Sequence, residues 1–122
     1  MFRCPEAMFN PSLIGKKCAG VHQMIHKTIT SCDKHLHKEL YANIIISGGS
    51  SLYPGFEARL AKEITTLAPT SMQVKVVASR ERKHLVWVGG SILASLSSFQ
   101  DLWITKNEFD DVGPNIVHRK CL

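Results

Sequence analysis

The apolar positions of this chain switch between two periods, and the switches mark its elements. Val21, Met24, Ile25, Ile29, Leu36 and Leu40 recur every three or four residues, the spacing that places side chains on one helical face. Asp33 interrupts the series with a helix-capping residue type, so two consecutive helices are expected over residues 21–40. Ile44-Ile45-Ile46 is a short β-branched run and reads as a strand. Phe56, Leu60, Ile64 and Leu67 return to the helical period, with Arg59, Lys62 and Glu63 largely off the stripe. Pro54 is expected at the start of that helix, where a missing N–H costs nothing, and Ala68-Pro69 ends it. Residues 73–78, QVKVVA, predict a largely buried strand. It should pair in parallel with residues 44–47, because the intervening helix makes a βαβ crossover.

Elsewhere the pattern is weaker. Residues 1–20 are punctuated by Pro5, Pro11, Gly15 and Gly20 and read as irregular. Residues 85–102 predict one helix, with Ile92, Leu93, Leu96, Phe99 and Leu102 along one side. Gly89-Gly90-Ser91 inside it reads as a place where that helix packs closely on backbone. The tail predicts short helical pieces broken at Gly113-Pro114, with Cys121 accessible near the end. Only two strands are convincing, and a two-stranded sheet is marginal unless other strands complete it. The chain should therefore expose strand edges and the faces of at least two helices.

Composition narrows the function classes. A length of 122 residues suits one modest domain, and 44% hydrophobic content is that of a globular chain. The net charge of +5 and pI near 9.2 permit an acidic partner. The basic residues are scattered, however, without a basic face carrying interleaved aromatics, so no nucleic acid is expected as a partner. The longest uncharged run, residues 84–100, holds two glycines and four serines, too short and too polar to span a bilayer. No membrane insertion is expected. The N-terminus lacks a signal-peptide hydrophobic core, and four cysteines without a CxxC spacing read as reduced thiols.

Two stretches invite chemistry. NIIISGGSSLYPG, residues 43–55, is a strand, a glycine-rich turn and a helix start, a geometry able to approach a phosphate. It lacks the P-loop lysine, and a plain strand-to-helix turn is the competing reading. Cys18, His22, His26, Cys32, His35 and His37 cluster within twenty residues, and His22 and His26 share a helical face. No zinc-module spacing is met, so they read as solvated helix faces and no metal site is assigned.

The glycine-rich stretch also carries a family resemblance. NIIISGGSSLYPG is similar to the second nucleotide-contacting loop of the actin family. FRCPEAMF, KEITTLAP, VWVGGSILASLSSFQ and GPNIVHRKC resemble actin segments in order and spacing, so the chain is identified as a member of that family, matching its C-terminal third. The resemblance implies a partial actin-like ATPase fold of ribonuclease-H-like α/β class. It has a βαβ unit, several helices and a sheet incomplete on its own. Residues 1–16 would end the small nucleotide-lobe subdomain with a plug-like loop. Residues 17–84 would form the nucleotide-lobe βαβ region, and residues 85–122 the helices returning to the other large subdomain.

The resemblance also implies sites. Gly49, Ser50, Leu52, Tyr53 and Lys83 are placed in the adenosine and phosphate neighbourhood. Leu52 replaces a common methionine, and Ser79 and Arg80 replace two prolines that would stiffen the turn before Lys83. Val88, Ile92, Leu93, Leu96 and Leu102 correspond to a groove that receives helices of binding proteins. Asp33, Glu108, Arg119, Lys120 and Leu122 correspond to a profilin-binding face, near which Ser31, His35 and His37 depart from the family. Leu13 and Ile14 correspond to a loop between filament subunits, where Lys16 and Lys17 reverse the usual charge. The implied function is a cytoskeletal, nucleotide-binding filament subunit of the cytoplasm, with other subunits and profilin as partners. ATP or ADP with Mg2+ is the cofactor of the longer family members. The family's metal- and water-positioning residues have no counterpart here, so no catalytic residue is assigned. A fragment that holds no nucleotide stably and hydrolyses none alone is expected. The alternative is a truncated, non-enzymatic module binding actin partners.

Overall fold

The computed structural model describes residues 3–120. It divides into two compact units, residues 1–85 and 86–122.

The first unit is built around a βαβ crossover. Strand β1 (Ile44–Ile45) and strand β2 (Val76–Val77) pair in parallel, Ile44 opposite Val76 and Ile45 opposite Val77. Helix α4 (Phe56–Leu67) joins them and presents Phe56, Leu60 and Ile64 inward, all buried. Helices α1 (Arg3–Phe9), α2 (Val21–Thr30) and α3 (His37–Ala42) precede the crossover. The core unites Phe9, Ile29, Tyr41, Ile44, Ile46, Phe56, Leu60 and Ile64. Arg59 covers one margin of it. Its guanidinium lies 5.1 Å from the centre of the Phe9 ring and pairs with Glu6 at 3.2 Å and Glu63 at 2.7 Å. These exposed pairs contribute at most about 1 kcal/mol each, so burial of Leu60 and Ile64 dominates the unit's stability.

Several expectations need correction. Residues 15–20 are irregular, as expected, but residues 3–14 form α1 and a 3₁₀ turn over Pro11–Ile14, because Pro5 and Pro11 fall in first turns, where helices have N–H groups to spare. Pro54 does not start α4. Gly55, at φ 76°, caps it instead, and the helix begins at Phe56. The strand over residues 73–78 shortens to two residues and is only partly buried, with Val77 exposed. Its partner is equally short, although backbone bonds from Ile44 N to Lys75 O and from Ile46 N to Val77 O extend the pairing slightly. Asp33 does precede a turn, the 3₁₀ residues Lys34–Leu36, but its side chain makes no capping bond.

The second unit contains most of helix α5 (Leu85–Ser95), then α6 (Ser97–Gln100), α7 (Lys106–Val112) and α8 (Val117–Lys120). The single helix expected over residues 85–102 breaks at Leu96, which is extended at ψ 133°. The Ser95 hydroxyl donates to the Ile92 carbonyl at 2.7 Å, a local bond that competes with helix continuation. Within its own unit the glycine pair in α5 packs on no other backbone: apart from α5 itself, no described atom of the unit lies within 4 Å of where a Cβ on Gly89 or Gly90 would sit. Trp87 and Trp103 are 73% and 52% exposed, and among the unit's described residues Ile116 is the buried apolar one. The tail breaks at Gly113-Pro114, Gly113 standing at φ 72° before a 3₁₀ turn over Pro114–Ile116. Among the described residues, no helix is long and apolar enough to cross a membrane.

Candidate functional site

The glycine-rich turn leaves β1 and folds as a 3₁₀ turn over Gly49–Leu52. Gly48 carries φ 95° and ψ 155°, a conformation open essentially to glycine alone. The Ser51 hydroxyl, buried, donates to the Gly48 carbonyl at 2.7 Å and tightens the turn. A second turn, following β2, comes alongside. The Gly48 N–H donates to the Arg82 carbonyl at 2.8 Å. The Arg82 guanidinium donates back, through Nη2 to the Ser51 carbonyl at 3.1 Å and through Nε to the Ser51 hydroxyl at 3.1 Å.

This arrangement brings Gly49 and Lys83 together. A Cβ placed on Gly49 would meet Lys83 Cγ at 4.0 Å and nothing else nearby. Gly49, Ser50, Leu52, Tyr53 and Lys83 are all exposed and belong to these two adjoining turns. Leu52, Tyr53, Val76 and Arg82 also help line a concavity of about 310 Å³ beside the N-terminus of α4. The two turns therefore offer an accessible glycine backbone and an exposed aromatic ring, together with an ammonium that has no ion-pair partner among the described residues. Those groups suit a purine, a ribose and neighbouring phosphate oxygens. Among the described residues, no group of three or more His, Cys, Asp or Glu side chains could hold a metal ion.

The other candidate residues fall in separate places. Leu13 and Ile14 form an exposed tip, 50% and 60% accessible, ended by Gly15 at φ 73°. Val88 is half-buried, while Ile92, Leu93, Leu96 and Leu102 are exposed, the last two beyond or at the break after α5. Asp33 is exposed in the first unit, whereas Glu108, Arg119 and Lys120 belong to the second. Leu122, like Cys121, lies outside the described residues.

Glu108 and Lys120 do meet. Their charged groups are 2.7 Å apart, and Lys120 also donates to the Trp103 carbonyl at 2.8 Å. Glu108 additionally accepts from the Thr105 N–H at 2.8 Å in a capping box at the start of α7. The Lys120 ammonium first, then the Thr105 donors, hold the Glu108 carboxyl down at about 2, against an ordinary 4.5. A carboxylate with a lowered folded pKa stabilises the fold above its unfolded pKa. That contribution should fade as pH falls from about 4.5 to about 2. Carboxyl 13C NMR titration should locate Glu108 in that window, and Lys120→Met should move its midpoint upward. A midpoint unmoved by Lys120→Met would refute the pairing.

The cluster is solvated only in part: Cys18, Cys32 and His35 are exposed as expected, but His22, His26 and His37 are not. His22 is buried against Phe9, with ring centres 5.8 Å apart, and its Nδ1 has no hydrogen-bond partner among the described residues. His26 Nδ1 and Tyr41 Oη share a 2.8 Å hydrogen bond that ties α2 to α3. His37 Nε2 lies 2.9 Å from the Cys32 carbonyl. The shared face of His22 and His26 was legible from their spacing, but its packing partners, Phe9 and Tyr41, come from other elements. Arg82 went unnoticed for a similar reason. Within SRERKH nothing distinguishes it from Arg80, yet Arg82 is half-buried and Arg80 exposed.

The family model described as Actin matches residues 1–122, the whole chain.

Proposed function

The chain belongs to the actin family, and from that premise we propose that it works as a nucleotide-binding subunit of cytoskeletal filaments in the cytoplasm. Its share of the nucleotide site is the face formed by Gly49, Ser50, Leu52, Tyr53 and Lys83. The observation that carries this reading is the open space over Gly49, where a Cβ would lie 4.0 Å from the Lys83 stem. Tyr53 would stack against the base, and Lys83 would supply a cation. ATP or ADP brings the phosphate groups and, with Mg2+, the hydrolytic chemistry. The residues here bind and orient, and turnover by this chain alone is not expected. In the ribonuclease-H-like frame the two short strands would be part of a larger sheet.

Saturation-transfer NMR with ATP tests the site. Gly49→Ala meets no clash, so it should leave the fold intact while filling the space beside Lys83. Lys83→Met should weaken binding by about tenfold, on the order of 1.4 kcal/mol for a lost cation contact. Unchanged affinity in both variants would overturn the assignment. Retained turnover by the purified chain would overturn the binding-only role.

Three surfaces complete the proposal. The Leu13–Ile14 tip serves contact between subunits. Glu108, Arg119, Lys120 and Leu122 of the second unit serve a profilin-type partner, with Glu108 and Lys120 already engaged with each other, and Asp33 of the first unit is a separate contact for it. The α5–α6 stripe favours a second reading, a non-enzymatic module whose exposed Ile92, Leu93, Leu96 and Leu102 receive a partner helix. Leu93→Asp should abolish capture of such helices, and capture that survives it would sink the groove.

A further inference from the structure

We propose that Arg82 is a positioning residue, a clasp that fixes the separation of the two turns and thereby sets Lys83 against Gly49. Its use in the cell rests on the nucleotide reading above, whereas its geometry does not. The link runs in both directions. The Arg82 carbonyl accepts from the Gly48 N–H at 2.8 Å, and its side chain reaches back over the same turn. Nε and Nη2 both donate to the Ser51 carbonyl, at 3.3 and 3.1 Å, and Nε also reaches the Ser51 hydroxyl at 3.1 Å. Nη1 donates to the Ser79 carbonyl at 2.9 Å, closing the turn that carries Lys83.

One guanidinium thus holds the carbonyls of both turns. Bonds from a charged donor are stronger than neutral ones, and the planar fork loses little freedom in making several at once. The Ser51 hydroxyl is committed to the Gly48 carbonyl while receiving Nε, so the glycine turn and the clasp order one another. Neither Ser79 nor Arg80 has a ring to fix its φ, so the turn is held by hydrogen bonds, and the Arg82 side chain adds bonds that tie it to the glycine turn. A lysine at position 82 would be a single point of donation unable to span Ser51 and Ser79 together.

Two measurements on the full 122-residue chain decide the matter. In the first, amide hydrogen exchange is followed in Arg82→Lys and in the milder Ser51→Ala. The Gly48 amide should exchange about tenfold faster in Arg82→Lys and less so in Ser51→Ala, while the Leu60 and Ile64 amides keep their rates. Unchanged Gly48 exchange, or acceleration only in step with the core amides, overturns the clasp. In the second, Lys83→Met is compared in the wild-type and Arg82→Lys backgrounds by ATP binding. A loss of about tenfold in the first background and less than about twofold in the second supports positioning. Equal losses overturn it, since Lys83 would then act without Arg82. Faster Gly48 exchange combined with no saturation-transfer signal from ATP, a readout that registers even weak binding, overturns the nucleotide reading and supports the clasp.

Discussion

Replacing Gly20 by alanine is expected to remove about 3–5 kcal/mol of stability, a large part of what a domain of this size has. A Cβ at this position would lie 2.0 Å from the Phe9 carbonyl oxygen and 2.8 Å from both the Phe9 carbonyl carbon and His22 Cε1. The obstacle is backbone, so rotating a side chain cannot relieve it. The end of α1 would have to move away from the start of α2. That movement would pull Phe9 from its contacts with His22 and with Phe56, whose ring centre is 5.4 Å away. It would also disturb the α2 N-terminus, where the Gly20 N–H donates to Gln23 Oε1 at 3.2 Å. Gly15→Ala is the comparison, because its space is open and only its φ of 73° is unfavourable. That substitution should cost about 1 kcal/mol. Urea midpoints measure both, and equal losses in the two variants would contradict the crowding at Gly20.

Leu60→Ala should cost about 2–5 kcal/mol through lost transfer energy and the cavity left behind. Leu60 is fully buried, with relative exposure of 0%, on the inner face of α4 between Phe56 and Ile64. Leu67, on the last turn of the same helix, is 38% exposed, and its alanine variant should lose less than half as much. Both changes should shift the urea midpoint with little change in slope, since the surface exposed on unfolding is nearly the same. Matching losses at the two positions would show that the α4 stripe does not face the core.

The crossover was legible because its two periods are written in short stretches. Ile44–Ile46 and Phe56–Leu60–Ile64 each specify a face, and parallel pairing follows from the helix between the strands. The family resemblance made the glycine turn and Lys83 legible as one neighbourhood. Other features depend on contacts between distant residues. Residues 1–20 looked irregular because prolines and glycines read as punctuation, whereas two of the prolines begin helical turns. Gly89-Gly90 looked like a close approach, a property of whatever faces a helix rather than of the helix itself. Arg82 has the same composition signal as Arg80, and only the carbonyls of Ser51 and Ser79 separate the two roles.

The position of the indoles gives the molecule a built-in optical division. Both tryptophans, Trp87 and Trp103, lie in residues 86–122, and both tyrosines, Tyr41 and Tyr53, lie in residues 1–85. Selective excitation of indole therefore watches one unit while leaving the other dark. Trp103 is 52% exposed and follows Leu102 in the chain, so a partner helix reaching Leu102 would shield that indole from dissolved quenchers and shift its emission to the blue. A nucleotide seated at Gly49 and Lys83 would instead act on Tyr53. The two kinds of binding would then be distinguished by colour in an unlabelled sample.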